Sequence, residues 1–186
     1  PLLQWHVERL QRVSDISELV VATSDRDADA PIVEACAEWG IACFRGPELD
    51  VLERFELAAE AHAADVVVRV TSDCPLIDPQ VVQLVIDRFL EIGVDYCSNT
   101  IERTFPRGLD TEVFSREALK TAHGSARDPA EREHVTPFIH CNRQRFRHRS
   151  ISCPLPGMEG NRWTLDRPED LEFLRALVAH LPDDRP

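Results

Sequence analysis

The chain has 186 residues, and its 33 acidic against 21 basic side chains give a formal charge of −12, which repels nucleic-acid backbones. With 43% hydrophobic residues and only 7 Gly and 13 Pro, the composition is globular, which excludes wholesale disorder, low-complexity tracts and a string of small modules. No apolar run approaches the roughly 20 residues of a membrane-spanning helix, and no basic start followed by an apolar stretch resembles a signal peptide. The expected setting is the cytoplasm, with neither nucleic acid nor membrane as partner. Cys36, Cys43, Cys74, Cys97, Cys141 and Cys153 form no Cys-x-x-Cys pair and fit a reducing compartment. The first residue is Pro1, inside what reads as a helix, so a piece of a longer chain is expected.

Pro1 to Val13 has the spacing of an amphipathic helix, with Leu3, Val7 and Leu10 on one face. Glu18 to Thr23 is a buried strand, followed by an acidic turn, a helix from Pro31 to Trp39 ended by Gly40, and a short strand from Ile41 to Arg45. Asp50 to Ala64 is a third helix. Asp65 to Thr71 is a β-branched run that suits a central strand covered on both faces. Asp78 as N-cap and Pro79 open the next helix, whose stripe of Val82, Val85, Ile86 and Phe89 runs up to Gly93. Short strands are expected at Asp95 to Thr100, Thr111 to Ser115 and Arg162 to Leu165, with an alternating edge strand at Phe146 to Cys153. Helices are expected at Arg116 to Ala126, Pro129 to Cys141 and about Pro168 to Leu181, the last carrying Leu171, Leu174, Val178 and Leu181 on one side. Strands alternating with helices predict an α/β fold: an open, mostly parallel sheet with helices on both faces. The whole of 1–186 reads as a single domain, and the less regular stretch of about 99–150 as an extension on the substrate side.

In such a sheet ligands bind beyond the carboxyl ends of strands. Asp25, Asp73 and Asp166 each follow a predicted strand there. Two carboxylates meeting at that rim would make a hard-oxygen site suited to Mg²⁺. Each also has a plainer role open to it. Asp166 with Glu169 has capping-box spacing, Asp73 before Cys-Pro suits an Asx-turn, and Asp25 suits a solvated loop. Arg107, Asp110 and Glu112 surround a Pro-x-Gly turn, which serves a polar ligand or a hairpin equally well. Glu131, Glu133 and His134 lack the His-Glu-x-x-His zinc spacing. Arg45 and Arg54 flank a helix start, where they suit a nucleotide or salt bridges with Glu48 or Glu53. No dinucleotide-binding glycine motif, Walker loop or nucleophile elbow is present.

The segments VVATSD, FRGPELDVLERF, VVVRVTSDCPLIDP, DYCSNTIERTFPRGLDTEVFS, EREHVTPFI and WTLDRPEDLEFL, in this order, resemble the spore coat polysaccharide biosynthesis protein F family. That family groups with CMP-Kdo synthetase and acylneuraminate cytidylyltransferase. The resemblance covers essentially the whole chain and implies the Rossmann-like nucleotide-diphospho-sugar transferase fold. It implies CTP and a sugar acceptor as partners, Mg²⁺ as cofactor and a homodimer. The expected reaction is transfer of CMP to the sugar with release of pyrophosphate. It assigns Asp73 and Asp166 as the catalytic, metal-holding pair, so that capping by Asp166 becomes an additional role. Ser24, Asp25, Arg54 and Ser72 become nucleotide-side candidates, and Asn99, Arg107, Asp110, Glu112, Glu133 and His134 acceptor-side candidates. Family members begin with a strand and a basic, glycine-containing loop cradling the triphosphate, whereas PLLQWHVERL aligns after it. The 186 residues alone are therefore expected to bind CTP weakly and not to turn over. A same-fold uridylyl- or guanylyltransferase, or an inactive scaffold, are the alternatives.

Overall fold

The computed structural model describes residues 1–180, so Leu181 of the predicted final stripe lies outside the described residues. The elements in chain order are α1 (Leu2–Leu10), β1 (Val20–Ser24), a 3-10 turn (Asp27–Asp29), α2 (Ala30–Trp39), β2 (Ala42–Gly46), α3 (Val51–Ala61), β3 (Val66–Arg69) and α4 (Pro79–Ile92). They continue with β4 (Tyr96–Ser98), β5 (Glu112–Ser115), α5 (Arg116–Ser125), α6 (Pro129–His134), α7 (Pro137–Cys141), β6 (His148–Ser150) and α8 (Pro168–His180). Local chemistry accounts for the best-marked boundaries. The Asp78 carboxylate accepts the Gln80 N–H at 2.8 Å ahead of α4, and Asp50 accepts the Glu53 N–H at 2.9 Å ahead of α3. Gly40 and Gly93 end α2 and α4 in the left-handed conformation, each at φ +67°.

The α/β class with helices on both faces is what the chain adopts, but strand directions are mixed rather than mostly parallel. β1 and β2 pair in parallel. The remaining strands order as β3-β5-β4-β6, with β5 antiparallel to both β3 and β4 and β6 parallel to β4. The cause is the loop between β4 and β5, whose ends are tied together. Asn99 Nδ2 donates to the Leu109 carbonyl at 2.7 Å, and its Oδ1 accepts the Thr111 N–H at 2.9 Å. A chain closed in this way returns beside the strand it left, as an antiparallel pair. Thus β3, expected to be central, stands at one end of its hydrogen-bonded order among the described residues. The stretch 99–150 is woven into the sheet through β5 instead of standing beside it.

Alternation along the strands divides the core into two layers. Val66, Val68, Cys97 and Val113 face a cluster built with Leu10 of α1, with Val13 beyond it, and with Val82, Val85, Ile86 and Phe89 of α4. Val67, Tyr96 and Phe114 face the opposite cluster, with Leu52 of α3, Leu119 of α5, and Val135 and Ile139. The predicted helix from Pro129 to Cys141 is broken in two. Val135 takes φ +72°, ψ −57°, and the Thr136 N–H reaches back to the His134 carbonyl at 2.9 Å, a tight γ-turn. Pro137 then starts α7, at a position where a missing N–H costs nothing. The predicted strand at Phe146 to Cys153 shortens to β6, and that at Arg162 to Leu165 to a single bridge between Arg107 and Arg162. Among the described residues no helix is long and apolar enough to cross a membrane.

That bridge needs Gly108. Its φ is +104°, and a Cβ there would lie 2.9 Å from the Trp163 carbonyl carbon and 3.0 Å from its oxygen. Gly108→Ala is expected to lower stability by about 1–3 kcal/mol. Denaturant unfolding with an unchanged midpoint would refute this.

Candidate active site at the rim of the sheet

Beyond β3 the chain turns sharply, with the Cys74 N–H bonded to the Thr71 carbonyl at 3.1 Å and the Ile77 N–H to the Cys74 carbonyl at 3.0 Å. Helix α1 pins this turn from behind. The buried His6 donates from Nδ1 to the Cys74 carbonyl at 2.9 Å, and Arg9 Nε donates to the Ile77 carbonyl at 2.5 Å. Burial holds the His6 pKa below the usual histidine value. It pushes the Cys74 thiol up to about 12, which disfavours the thiolate of this buried side chain. The half-buried Asp73 has only a weak side-chain contact, from Cys74 Sγ at 3.5 Å.

The second acidic segment is docked onto this turn. The Leu165 N–H donates to the Asp73 carbonyl at 2.7 Å, placing Asp166 one residue beyond the contact. The same segment is held from the other side by the Arg107 N–H on the Asn161 carbonyl at 3.0 Å and the Trp163 N–H on the Arg107 carbonyl at 2.8 Å. The exposed Asp166 carboxylate is contacted only through Oδ2, by Thr164 Oγ1 at 2.6 Å and Arg162 Nη1 at 2.9 Å. Its Oδ1 has no hydrogen-bond partner among the described residues.

The capping role expected of Asp166 belongs to Asp170. Its Oδ2 accepts the N–H groups of Asp166 and Arg167, each at 2.9 Å. Arg162 grips the same carboxylate with Nη1 at 2.9 Å and Nη2 at 2.5 Å. This guanidinium and the two backbone donors hold the Asp170 pKa well below the usual carboxylate range. Asp170 and Arg162 were missed from the sequence; the signal for Asp170 was a buried-side carboxylate in the first turn of α8, four residues after Asp166.

No group of three or more His, Cys, Asp or Glu side chains is placed to hold a metal among the described residues. The Leu165–Asp73 contact brings the two acidic segments together, and two carboxylates are the donor types of a cation that takes one or two protein oxygens and completes its shell with water and phosphate, the habit of Mg²⁺. They do not fit an all-protein cage.

A different cluster forms beyond β1 and β2. The buried Ser24 hydroxyl donates to Asp29 Oδ2 at 2.6 Å, Thr23 Oγ1 does so at 2.7 Å and the Ser24 N–H at 3.0 Å. Asp25 is exposed, its N–H on the Gly46 carbonyl at 2.8 Å and its carbonyl accepting from Arg45 Nη2 at 2.8 Å. Arg54 Nη1 donates to the Pro47 carbonyl at 3.0 Å, while its buried Nε has no partner. The salt bridges expected of Arg45 and Arg54 with Glu48 or Glu53 do not form among the described residues, because backbone carbonyls at the strand ends take the guanidinium donors and Arg26 takes Glu48. Ser72 is exposed between the β3 end and Asp73.

On the acceptor side, Asn99 is fully buried and its amide is spent closing the β4–β5 loop. Arg103 grips Asp110 with two bonds of 2.8 Å. Arg107 is exposed, and its side chain has no ion-pair or hydrogen-bond partner among the described residues. Glu112 is buried, its carboxylate held by Arg69, by Tyr96 Oη at 2.6 Å and by Thr136 Oγ1 at 2.6 Å. Glu133 and His134 are exposed at the end of α6. The structure thus joins Asp73, Asp166 and Arg107 through one hydrogen-bonded segment. It groups Ser24, Asp25 and Arg54 around the ends of β1 and β2, and sets Glu112 inside the fold.

The Asp29 carboxylate is held below its ordinary pKa, first by the Ser24 hydroxyl and then by Thr23. A depressed folded pKa stabilises the protein above the unfolded value of about 3.9 and loses that contribution as pH falls through the folded one. Asp29→Asn is expected to lower the melting temperature at pH 7 and to flatten its decline below about pH 4. Parallel melting curves for the two proteins across this range would contradict the assignment.

A family model described as cytidylyltransferase matches residues 1–181. Spore coat polysaccharide biosynthesis protein SpsF of Bacillus subtilis is 32% identical over 165 residues, covering 88% of this chain and 68% of that protein. The structure of a cytidylyltransferase from Leptospira borgpetersenii superposes with a TM-score of 0.93 at 30% identity, covering 100% of this chain and 78% of the other. A CMP:2-keto-3-deoxy-manno-octonic acid synthetase complexed with CTP shares the fold, with a TM-score of 0.72 at 17% identity over 96% of this chain and 88% of that one.

Proposed function

The chain belongs to the cytidylyltransferase family, and from that premise we propose that it moves CMP from CTP to a sugar hydroxyl with release of pyrophosphate, using Mg²⁺ held by Asp73 and Asp166. The observation that carries the reading is the 2.7 Å hydrogen bond from the Leu165 N–H to the Asp73 carbonyl, which joins the two acidic segments at the rim where an α/β sheet binds ligands. The name of the SpsF relative supports a polysaccharide precursor as product, and the CTP complex of the structural neighbour supports CTP as donor.

In the proposed reaction the sugar hydroxyl oxygen attacks the α-phosphorus and gives up its proton to solvent water, the bond from that phosphorus to the bridging oxygen breaks, and pyrophosphate leaves with the electron pair of that bond. Mg²⁺, when bound, neutralises phosphate oxygens and so lowers the repulsion the nucleophile meets. The protein's own part is positioning. The Asp73 carbonyl and the Arg107 backbone fix the 161–166 segment from two sides, which supports a chain path at both acids that is set before substrate arrives. Arg54 offers positive charge beside the proposed nucleotide subsite at Ser24 and Asp25, with Ser72 next to the metal-side turn. On the acceptor side Arg103 is committed to Asp110, which leaves the exposed Arg107 as the cation for an acidic sugar. Glu133 and His134 supply polar groups for its hydroxyls. Asn99 and Glu112 act here by holding the walls of the acceptor side.

The test uses the full-length protein, including any residues upstream of Pro1, and follows pyrophosphate release from CTP with candidate acidic sugars. Asp73→Ala is expected to cut turnover by more than about 100-fold. CTP, and not UTP or GTP, is expected to raise the melting temperature in Mg²⁺. Equal rates for wild type and Asp73→Ala would end the metal assignment, and stabilisation by UTP or GTP alone would move the reading to another nucleotide.

A further inference from the structure

Arg162 lies between two carboxylates but divides itself unequally. Asp170 receives both terminal nitrogens, at 2.9 and 2.5 Å, as a two-pronged pair. Asp166 receives only Nη1, at 2.9 Å, on the oxygen that Thr164 already contacts. The two acids also differ in freedom. Asp170 is buried and fixed by two backbone N–H groups, whereas Asp166 is exposed and its Oδ1 is open. The fork of an arginine matches one carboxylate at a time, so whichever acid is better fixed captures it.

We propose that Asp170 is a positioning residue for Asp166: it sequesters the Arg162 guanidinium and orients the Asp166 backbone, so that the Oδ1 edge of Asp166 stays available to a divalent cation. The proposal rests on the metal reading given above. Without a charge at position 170 the nearest anionic partner of Arg162 is Asp166 itself. The guanidinium then turns its whole fork onto that carboxylate and competes with the cation for it. Helix α8 thereby does more for the site than terminate the 161–166 segment, because its first turn supplies the counter-anion that disarms a competitor.

The experiment measures Mn²⁺ binding to the nucleotide-free protein by water-proton relaxation, in about 0.5 M KCl so that charge acts only over a few ångströms. Melting temperatures and the Mg²⁺ dependence of turnover are followed in parallel. Asp170→Asn is expected to weaken Mn²⁺ binding by about tenfold or more. It should likewise raise the Mg²⁺ concentration for half-maximal turnover while the rate at saturating Mg²⁺ changes less. Arg162→Gln introduced into the Asp170→Asn protein is expected to recover Mn²⁺ binding, because the competitor is then gone, and Asp170→Glu is expected to recover part of it. A double variant no better than Asp170→Asn, or Asp170→Asn binding Mn²⁺ as wild type does, overturns the positioning role and leaves Asp170 a helix-capping residue. If Mn²⁺ binding by the wild type is indifferent to Asp166→Ala, the metal reading falls, and this inference with it.

Discussion

One backbone hydrogen bond, from the Leu165 N–H to the Asp73 carbonyl, joins the two acidic segments of this molecule. The placement of Asp166 depends on it, because it fixes the segment bearing that residue against the turn that follows β3. Neither side of the contact stands alone. His6 and Arg9 hold the turn from α1, and the Arg107 bridge holds the opposing segment, with Gly108 providing the room. Most of these are contacts to main-chain groups, which are blind to side-chain identity but strict about distance, so the rim is set by chain path before any side chain chooses its rotamer.

Charge at the rim is arranged by commitment of cations. Arg103 is taken by Asp110, Arg162 chiefly by Asp170, and Arg69 by Glu112, so Asp73 keeps only a weak thiol contact and Asp166 keeps its Oδ1 without a hydrogen-bond partner among the described residues. This pattern distinguishes structural carboxylates from available ones better than burial alone does. Glu112 makes the contrast plain. It sits in the sequence beside Asp110, yet its two oxygens are used by Arg69, Tyr96 and Thr136 to tie β3, β4, β5 and the γ-turn after α6. Deprived of such partners, a buried carboxylate would cost the fold several kcal/mol.

Much of the architecture was legible in the residues. The caps at Asp50, Asp78, Gly40 and Gly93, and the apolar stripe of α4, act through contacts within a turn or two, so local spacing suffices to find them. Strand direction was not legible. The antiparallel course of β5 follows from Asn99 closing a loop on Leu109 and Thr111, and an asparagine in a sequence does not announce its partners. The break at Val135 was hidden for a similar reason: a β-branched residue at positive φ is tolerated only because its side chain is fully buried among Leu119, Ile139 and their neighbours.

The order of amino acids by itself determined the α/β class and the family, because these depend on hydrophobic period and on motifs a few residues long. Tertiary structure alone decided which of two neighbouring acids keeps an open carboxylate oxygen. Asp166 and Asp170 stand four residues apart on the same segment, and nothing in their spelling tells the exposed one from the one clasped by Arg162 and two backbone donors. That distinction is made by where the guanidinium lies in space, which depends on the Arg107 bridge and on the docking of Leu165 against Asp73.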